Sequence, residues 1–375
     1  MRLGSDAVKL PGAGRLTPVE QLQQASERGL HGLYFRSTLH LSPTLDPGYL
    51  REIRDCADDL GLYLESGLGK TNPYALAESP ELRALGDGDT LLGFRKIIEA
   101  CSRIGVYELW SATGGIKNFP GYHMYDRFRT DVPWDEQLEG IERLLKRLAP
   151  IARDNGVHIN LETHEEITSF ELVHLIEEVG PDVVGITYDT ANPLQRGEVP
   201  EETARRVAPY VRQTHIKDAV LIRAHDGFKY QSRPNGQGVV DLNPIIPLLA
   251  EHNPDLNLSL EVAFVRAEGV TFPDLASQDV RSRLELNDPV WRAGHPDLSD
   301  EELAEFVRLG NAFSDRVDAG EVPGFDEFDR RVWGEKECWE WVSDSHAYVL
   351  DVCRRHGIAL EGPEEAKARL AAARG

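Results

Sequence analysis

The stretch VGITYDTANPLQRGEVPEETARRVAPYVRQTHIKD, residues 184–218, contains two strand-like runs on either side of a helical pattern. The runs are VGITYDT (184–190) and QTHIKD (213–218), and each ends in polar residues. A helical connection between two short strands is typical of a βαβ unit, in which the strands are parallel. The stretch therefore predicts one repeat of an α/β fold.

Further strand-like runs alternate with helical patterns from the N-terminus to about residue 265. They are RLGSDAVKL (2–10), HGLYFRS (31–37), GLYLESG (61–67), VYELWSA (106–112), HINLETH (158–164) and LNLSLEV (256–262). Eight strands with helical returns in roughly 250 residues predict a closed (β/α)8 TIM barrel. The alternative, an open doubly wound sheet, is disfavoured because GAGRL (12–16) does not complete a GxGxxG motif.

The pattern beyond residue 270 changes to helices and loops. One helical pattern has an N-cap at Ser299, and four of the six tryptophans lie in this region: Trp291, Trp333, Trp339 and Trp341. We expect residues 1–268 to form the barrel and residues 269–375 to form a helical extension. The tryptophans are expected to pack the extension onto the barrel or onto a partner subunit, and a lid is the alternative.

Composition and charge exclude several classes of protein. The 375 residues carry 41 Lys plus Arg against 63 Asp plus Glu, a net charge of -22. This balance repels phosphate backbones and anionic lipids, so we expect neither a nucleic-acid partner nor a membrane partner. No signal peptide or apolar span is visible, which predicts a cytoplasmic protein. The four cysteines have no CxxC spacing and are expected to pack as reduced thiols.

Charged side chains stand at the ends of the last four predicted barrel strands. They are Glu162, Asp189, His215 and Glu261. In a barrel of this kind the functional groups lie at the carboxyl ends of the strands. Buried carboxylates that converge need a shared cation, and three oxygen donors with one nitrogen suit a single divalent metal, Mn²⁺ first and Mg²⁺ or Co²⁺ as alternatives.

The chain also resembles a known family. The segments NLETH, VGITYDTAN, APYVRQTHIKD, NGQGVVDLNPIIPLL and LSLEV are similar to those of the xylose isomerase-like barrels, the sugar phosphate isomerase/epimerase superfamily, over residues 1 to 265. The resemblance implies that Glu162, Asp189, His215 and Glu261 ligate the metal. In the ketose 3-epimerases of this family, the first and last of these glutamates exchange substrate protons from opposite faces. Asn192 and Leu221 depart from the epimerase pattern, which disfavours free ketoses as substrates.

Three other strand-end residues are candidates for the site. Lys217 shares strand parity with His215 and is expected either to hold an anionic or hydroxyl group of the substrate, or to form an ion pair with Asp218 or another acid. His164 is a candidate proton donor, substrate contact or support for a neighbouring residue. Asn192 is a candidate contact to a sugar hydroxyl, although DTAN is also good turn chemistry.

A long loop, ATGGIKNFPGYHMYDRFRTDVPW, follows the fourth predicted strand. Long loops at this face of a barrel often carry substrate contacts. Tyr122, His123, Tyr125 and Arg127 are expected to reach over the metal. His123 is a candidate general base because an imidazole titrates near neutral pH.

These features predict a metal-dependent enzyme acting on a small carbohydrate. The first hypothesis is an isomerase or epimerase in which Glu162 and Glu261 transfer protons through an enediolate. The second is a lyase of the same superfamily, either a dehydratase or a C-glycoside deglycosidase catalytic subunit, with His123 as the base. An endonuclease is disfavoured by the acidic charge, and a non-catalytic barrel by the complete set of ligand types. We expect a homo-oligomer or a hetero-complex with a small subunit.

Overall fold

The computed structural model describes residues 1–115, 124–262 and 283–374. Eight parallel strands form the barrel sheet: β1 (Arg2–Asp6), β2 (Gly32–Tyr34), β3 (Tyr63–Lys70), β4 (Glu108–Ala112), β5 (His158–Glu162), β6 (Val184–Asp189), β7 (Val211–His215) and β10 (Asn257–Leu260). The strand order is β10-β1-β2-β3-β4-β5-β6-β7. Ile216 closes the ring, because its N–H donates to the Ser259 carbonyl at 2.8 Å and its carbonyl accepts from the Glu261 N–H at 3.0 Å. The predicted (β/α)8 fold and its eight strands are confirmed.

Helices surround this sheet and continue beyond it. Those of the barrel are α1 (Pro18–Glu27), α2 (Thr38–Leu41), α3 (Pro47–Leu60), α4 (Pro80–Leu85), α5 (Thr90–Arg103), α6 (Trp134–Asn155), α7 (Ser169–Val179), α8 (Pro200–Val207) and α9 (Leu242–His252). Those of the C-terminal extension are α10 (Pro289–Ala293), α11 (Asp300–Asp318), α12 (Phe325–Asp329), α13 (Glu335–Arg355) and α14 (Pro363–Arg374). Ser299 caps α11 as predicted, and its hydroxyl accepts from the Glu302 N–H at 3.1 Å. Short 3-10 turns follow several strands, among them Asn192–Arg196 after β6.

One aromatic ring fills the lower part of the barrel interior. The ring of Tyr63 lies against the backbones of Gly4 and Gly32, where an added Cβ would come within 2.4 Å of the Tyr63 hydroxyl and 2.2 Å of its ring, respectively. The Tyr63 hydroxyl also bonds the Ser259 hydroxyl at 2.8 Å. The two glycines are therefore required because any side chain there would occupy the space of the ring.

A polar layer lies above this ring. The Gln213 side chain accepts from Thr187 Oγ1 at 3.1 Å and from Asn160 Nδ2 at 3.3 Å. Side chains two positions apart on a strand share a face, so the next inward-facing layer toward the carboxyl ends follows from this one. The residues two positions further along the same three strands are Glu162, Asp189 and His215.

An antiparallel hairpin that we did not predict follows β7. β8 (Asp218–Ala224) pairs with β9 (Gly227–Arg233), and β11 (Arg283–Leu284) pairs with β9 from the other side. The sequence signal was present, because Asp226-Gly227 stands between two alternating runs and Asp-Gly is a common hairpin turn. Helix α11 packs on β8 and covers the hairpin.

The extension packs onto the barrel. Helix α13 lies against α9 and β10, and α14 lies against α3. Trp339 and Trp341 are buried in the main hydrophobic cluster, whereas Trp291 is buried in a second cluster with Tyr125. These three tryptophans are thus buried against other parts of the same chain. The predicted domain boundary at residue 268 lies outside the described residues.

The cysteines and the hydropathy of the helices bear on the redox state and on membrane insertion. All four cysteines are free thiols, and Cys101, Cys338 and Cys353 are buried. None of the described helices is both long and apolar enough to cross a membrane.

Candidate metal centre

The four residues predicted from the strand ends meet at the carboxyl end of the barrel. Glu162, Asp189 and His215 end β5, β6 and β7, and Glu261 follows β10 directly. One ligand atom from each residue lies within 4.8 Å of those from the other three. All four side chains are buried, and Glu261 is the most exposed at 5%. The structure therefore brings three carboxylates and one imidazole into one enclosed cluster.

His215 is at the centre of the cluster. Its Nδ1 lies 2.9 Å from Glu162 Oε1 and 3.3 Å from Glu261 Oε2. The Tyr34 ring stands edge-on to the imidazole, with 4.6 Å between ring centroids. Burial opposes protonation of His215, but Glu162 and Glu261 outweigh it and raise its pKa.

Glu162 is held by neutral donors from β4 and from the turn after β6. Trp110 Nε1 donates to Glu162 Oε2 at 2.8 Å, and Asn192 Nδ2 donates to Oε1 at 3.3 Å. Burial raises the pKa of Glu162, but the adjacent His215 and His164 outweigh burial and lower this pKa to about 2. We did not predict Trp110 from the sequence, although it stands near the end of the fourth run, VYELWSA.

Glu261 is surrounded by cations instead. Its Oε1 lies 2.7 Å from Arg36 Nη2, 3.4 Å from Lys9 Nζ and 3.5 Å from Lys217 Nζ. Arg36 also donates to Asp6 Oδ2 at 2.8 Å. Burial opposes ionisation of Glu261, but these cations outweigh burial and hold the pKa well below its usual range. We did not predict Asp6, Lys9 or Arg36 from the sequence. Lys9 and Arg36 stand near the ends of the first two runs, and Asp6 ends β1.

Asp189 and Lys217 form an ion pair at the edge of the cluster. Asp189 Oδ1 accepts from the backbone N–H of Ala191 at 2.8 Å and of Asn192 at 2.7 Å, and Oδ2 lies 3.5 Å from Lys217 Nζ. Burial raises the pKa of Asp189 to about 7. The ammonium of Lys217 also donates to Asn192 Oδ1 at 3.0 Å. Lys217 thus pairs with Asp189 and Glu261, both strand-end acids, and projects into the site as expected from its parity.

His164 belongs to a hydrogen-bonded chain beside Glu162. Its Nδ1 bonds Glu166 Oε2, and Glu166 Oε1 accepts from Thr113 Oγ1 at 2.7 Å. Its Nε2 lies 4.0 Å from Glu162 Oε2. Burial lowers the pKa of His164, but Glu166 and Glu162 outweigh it and raise this pKa to about 10. The imidazole is therefore a charged group that can donate a proton.

Beyond residue 115, the long loop after β4 is described from residue 124 onward. Tyr122 and the candidate base His123 lie outside the described residues. The Tyr125 hydroxyl donates to Gln195 Oε1. Arg127 Nη1 forms an ion pair with Glu171 at 2.7 Å, so its charge is already matched by a carboxylate of α7.

The donor set fits a divalent cation. Glu261 Oε2 and His215 Nε2 are buried and make no hydrogen bond within residues 1–115, 124–262 and 283–374. A buried polar atom without a partner is costly, and a metal ion satisfies carboxylate and imidazole lone pairs together. Three oxygen donors and one nitrogen, with no thiolate in the cluster, suit a hard divalent ion such as Mn²⁺, Mg²⁺ or Co²⁺.

Comparison with protein families identifies the fold family. Residues 22–282 match the model of the xylose isomerase-like TIM barrels. The chain belongs to this family. Membership confirms the resemblance seen in the sequence and agrees with the barrel topology.

Relatives found by sequence are carbohydrate enzymes where their activity is named. An 86-residue segment is 33% identical to the uncharacterized protein YihM of Escherichia coli K12 (23% of this chain, 26% of that protein). The 3-oxo-isoapionate decarboxylase of Pectobacterium atrosepticum is 24% identical over 120 residues (32% and 44%), and the inosose dehydratase of Geobacillus kaustophilus is 26% identical over 137 residues (32% and 43%). The chain thus spans less than half the length of each of these curated relatives.

Solved structures with a similar fold include two sugar epimerases. D-psicose 3-epimerase from Clostridium cellulolyticum H10, with D-tagatose, superposes with a TM-score of 0.54 at 16% identity, over 84% of this chain and 99% of that one. The 3-keto-D-glucoside 4-epimerase of Escherichia coli, in its apo form, has a TM-score of 0.53 at 16% identity, over 75% of this chain and 97% of that one. At this identity the likeness establishes the fold alone.

Proposed function

We propose that this chain is a divalent-metal-dependent carbohydrate isomerase or epimerase that moves a proton at a carbon beside a carbonyl. The observation that carries the proposal is the buried cluster of Glu162, Asp189, His215 and Glu261 at the mouth of the barrel. The epimerase structures and the inosose dehydratase relatives support a carbohydrate with a carbonyl group as the substrate class.

The same four residues would hold the ion, with Mn²⁺ as the first candidate and Mg²⁺ or Co²⁺ as alternatives. A bound divalent ion would polarise the substrate carbonyl and make the neighbouring C–H more acidic. Asp189 is suited to a purely ligating role, because two backbone N–H groups fix its Oδ1 and the ammonium of Lys217 lies beside its Oδ2.

The glutamates and Lys217 supply the proton chemistry. Glu162 and Glu261 reach the site from different strands, β5 and the end of β10, so a substrate carbon at the mouth of the barrel would have a carboxylate from each of these strands within the site. Return of the proton to the same carbon from the other side epimerises the sugar, and its return to the neighbouring carbon isomerises the sugar. The Lys217 ammonium is placed to stabilise negative charge on the substrate oxygen.

A lyase is the second candidate, because one arrangement in the site favours it. The charged imidazole of His164, oriented by Glu166 and Thr113, lies 4.0 Å from Glu162. In a dehydration, Glu162 would take the proton from the carbon beside the carbonyl while the C–O bond at the next carbon breaks. His164 would protonate the departing hydroxyl, so that a C=C bond and water form. A C-glycoside deglycosidase with His123 as the base belongs to the same class of β-elimination.

Metal analysis and exchange in D₂O test the proposal. The purified protein is assayed for bound metal, and its Mn²⁺ form is incubated in D₂O with ketoses, keto-glycosides and C-glycosides while NMR follows the products. Deuterium beside the carbonyl with the carbon skeleton retained supports the isomerase or epimerase. An alkene or a released aglycone supports the lyase. A protein that binds none of the three metals contradicts both.

Variants separate the roles of the residues. Glu261→Gln should lose Mn²⁺ binding and exchange while the protein stays folded. Glu65→Gln is the matched control, because Glu65 is a buried barrel glutamate outside the cluster. His123→Ala should spare a two-glutamate isomerase, and loss of turnover in this variant indicates a lyase with His123 in the proton transfer. His164→Gln should slow either enzyme, because His164 also lowers the pKa of Glu162.

A further inference from the structure

The C-terminal extension reaches the site from behind the turn that follows β6. Trp291 and His295 pack against this turn, since Gly197, directly after Asn192–Arg196, has the Trp291 ring 3.0 Å from where a Cβ would lie. Both residues lie beyond residue 282, where the family match ends. The two epimerase structures match nearly all of their own length but only 75% and 84% of this chain. The extension thus lies beyond the part of the chain that the family model matches.

His295 is a neutral acceptor for a buried cation. Its Nδ1 bonds the Trp291 carbonyl at 2.6 Å, and a carbonyl only accepts, so Nδ1 carries the proton and Nε2 carries the lone pair. Arg196 Nη1 lies 3.2 Å from this Nε2 and donates to it. Burial and then the charge of Arg196 lower the pKa of His295 well below its usual value, in agreement with a neutral ring.

Arg196 depends on this histidine for its position. Its side chain is fully buried, and its Nε and Nη2 make no hydrogen bond to any described residue. Its guanidinium lies over the ring of Tyr125, 4.9 Å from the centroid, and 5.8 Å from the centroid of Phe128. His295 and these two rings are thus the groups that hold the cation in place.

Tyr125 connects this cation to the site. Its hydroxyl donates to Gln195 Oε1, which turns the amide N–H groups of Gln195 toward Asn192. Gln195 Nε2 lies 3.5 Å from Asn192 Oδ1. The hydrogen bonds therefore run without a break from Tyr125, on which Arg196 stacks, to the side chain of Asn192.

Asn192 contacts three residues of the candidate metal centre. Its Nδ2 donates to Glu162 Oε1 at 3.3 Å, its Oδ1 accepts from Lys217 Nζ at 3.0 Å, and its backbone N–H donates to Asp189 Oδ1 at 2.7 Å. This placement of the amide oxygen and nitrogen agrees with an ammonium, which only donates, and a carboxylate, which only accepts. Both ends of the Asn192 amide are already engaged by the protein.

We propose that the extension completes the site: His295 and Arg196, acting through Tyr125 and Gln195, set the amide of Asn192 as the positioning residue for Glu162 and Lys217. The inference deepens the proposed function, and its test by metal binding rests on that function. Groups that orient metal ligands commonly change metal affinity by about 10- to 100-fold when removed. A residue that only packs would change stability and leave metal affinity unaltered.

Four variants test this connection. His295→Leu removes the acceptor for Arg196, and Tyr125→Phe removes only the hydroxyl that orients Gln195. His295→Gln is the conservative rescue, since its amide oxygen can accept from Arg196. The matched control is His346→Leu, because His346 is a half-buried histidine of the same extension whose neighbour is the His31 ring at 6.4 Å.

Mn²⁺ affinity is measured by calorimetry at pH 8, with thermal unfolding as the check on folding. We expect His295→Leu and Tyr125→Phe to weaken binding by about tenfold, whereas His295→Gln and the control should stay within about twofold of the wild type. If His295→Leu does not fold, Tyr125→Phe decides. Unchanged affinity in the folded variants overturns the inference.

Crystal structures of the wild type and Tyr125→Phe provide a second test, which needs no metal. We expect the contacts of the Asn192 amide with Lys217 Nζ and Glu162 Oε1 to be broken or reversed in the variant. Retention of both contacts overturns the inference. A wild type that binds no Mn²⁺, Mg²⁺ or Co²⁺ refutes the proposed function instead, and these structures then decide the positioning role alone.

Discussion

Asp218 offers a test of the loop that supports the last barrel strands. Its carboxylate, 1% exposed, accepts four backbone N–H groups: Ala219 and Val240 at 2.8 and 3.0 Å on Oδ1, and Gly236 and Gly238 at 2.9 and 2.8 Å on Oδ2. In Asp218→Asn, the amide oxygen can accept from two of these groups, but the amide NH₂ faces the other two. The substitution therefore leaves two backbone N–H groups without an acceptor, and those of Gly236 and Gly238 are only partly buried.

The expected loss of stability follows from that count. Each buried donor left without a partner costs about 1–3 kcal/mol, and the lower value applies to partly buried donors, so two of them predict a decrease of at least about 2 kcal/mol in the free energy of unfolding. Urea denaturation at pH 8, followed by circular dichroism, measures this decrease for the variant and the wild type.

A nearby aspartate supplies the control for this measurement. Asp241→Asn changes the exposed N-cap of α9, where Asn caps a helix about as well as Asp, and should alter stability by less than about 0.5 kcal/mol. A decrease of less than about 1 kcal/mol for Asp218→Asn, with an unchanged dependence on urea, would refute the reasoning.

Three further changes test other parts of the molecule. Trp110→Phe removes the 2.8 Å hydrogen bond to Glu162 and should weaken Mn²⁺ binding about tenfold, as measured by calorimetry. Binding equal to that of the wild type would show that Trp110 does not orient Glu162 for the metal. Burial lowers the pKa of His346 to about 4. The stability that its neutral ring contributes is therefore present above about pH 6.5 and is lost as the pH falls toward 4, by at most about 3 kcal/mol. His346→Leu should lose less stability over this pH range, which urea titrations at several pH values measure. Gly32→Ala places a methyl group 2.2 Å from the Tyr63 ring and should lower the free energy of unfolding by more than about 3 kcal/mol, which a Tm within a few degrees of the wild type would contradict.

The positions of four side chains in the candidate site follow from the ends of the predicted strands. Glu162, Asp189 and His215 are the final residues of β5, β6 and β7, and the structure brings them together with Glu261. The same rule applied to the first and second runs predicts Lys9 and Arg36, and both contact Glu261 directly. It does not predict Trp110, because the charged residue of the fourth run is Glu108.

Other features depend on contacts between distant residues or on a signal that competes with the barrel pattern. The contact of His295 with Arg196 joins residues 99 positions apart, and no local periodicity connects them. The hairpin after β7 had a turn signal at Asp226-Gly227, but its runs compete with the helix and strand patterns of the barrel repeat. The partner of Lys217 was also open in the sequence, because Asp218 lies adjacent in the chain while Asp189 and Glu261 become neighbours only in the fold.

The sequence by itself determined the alternation of strands and helices and the inward direction of each strand-end side chain. The reason is local: side chains on a strand alternate between two faces, so Gln213 and His215 must share one. Only the tertiary structure decided what those side chains meet. β10 pairs with β1 across most of the chain length, and this closure sets Glu261 beside Lys9 and Arg36. The charge around each glutamate is a sum over neighbours in space, and no reading along the chain contains that sum.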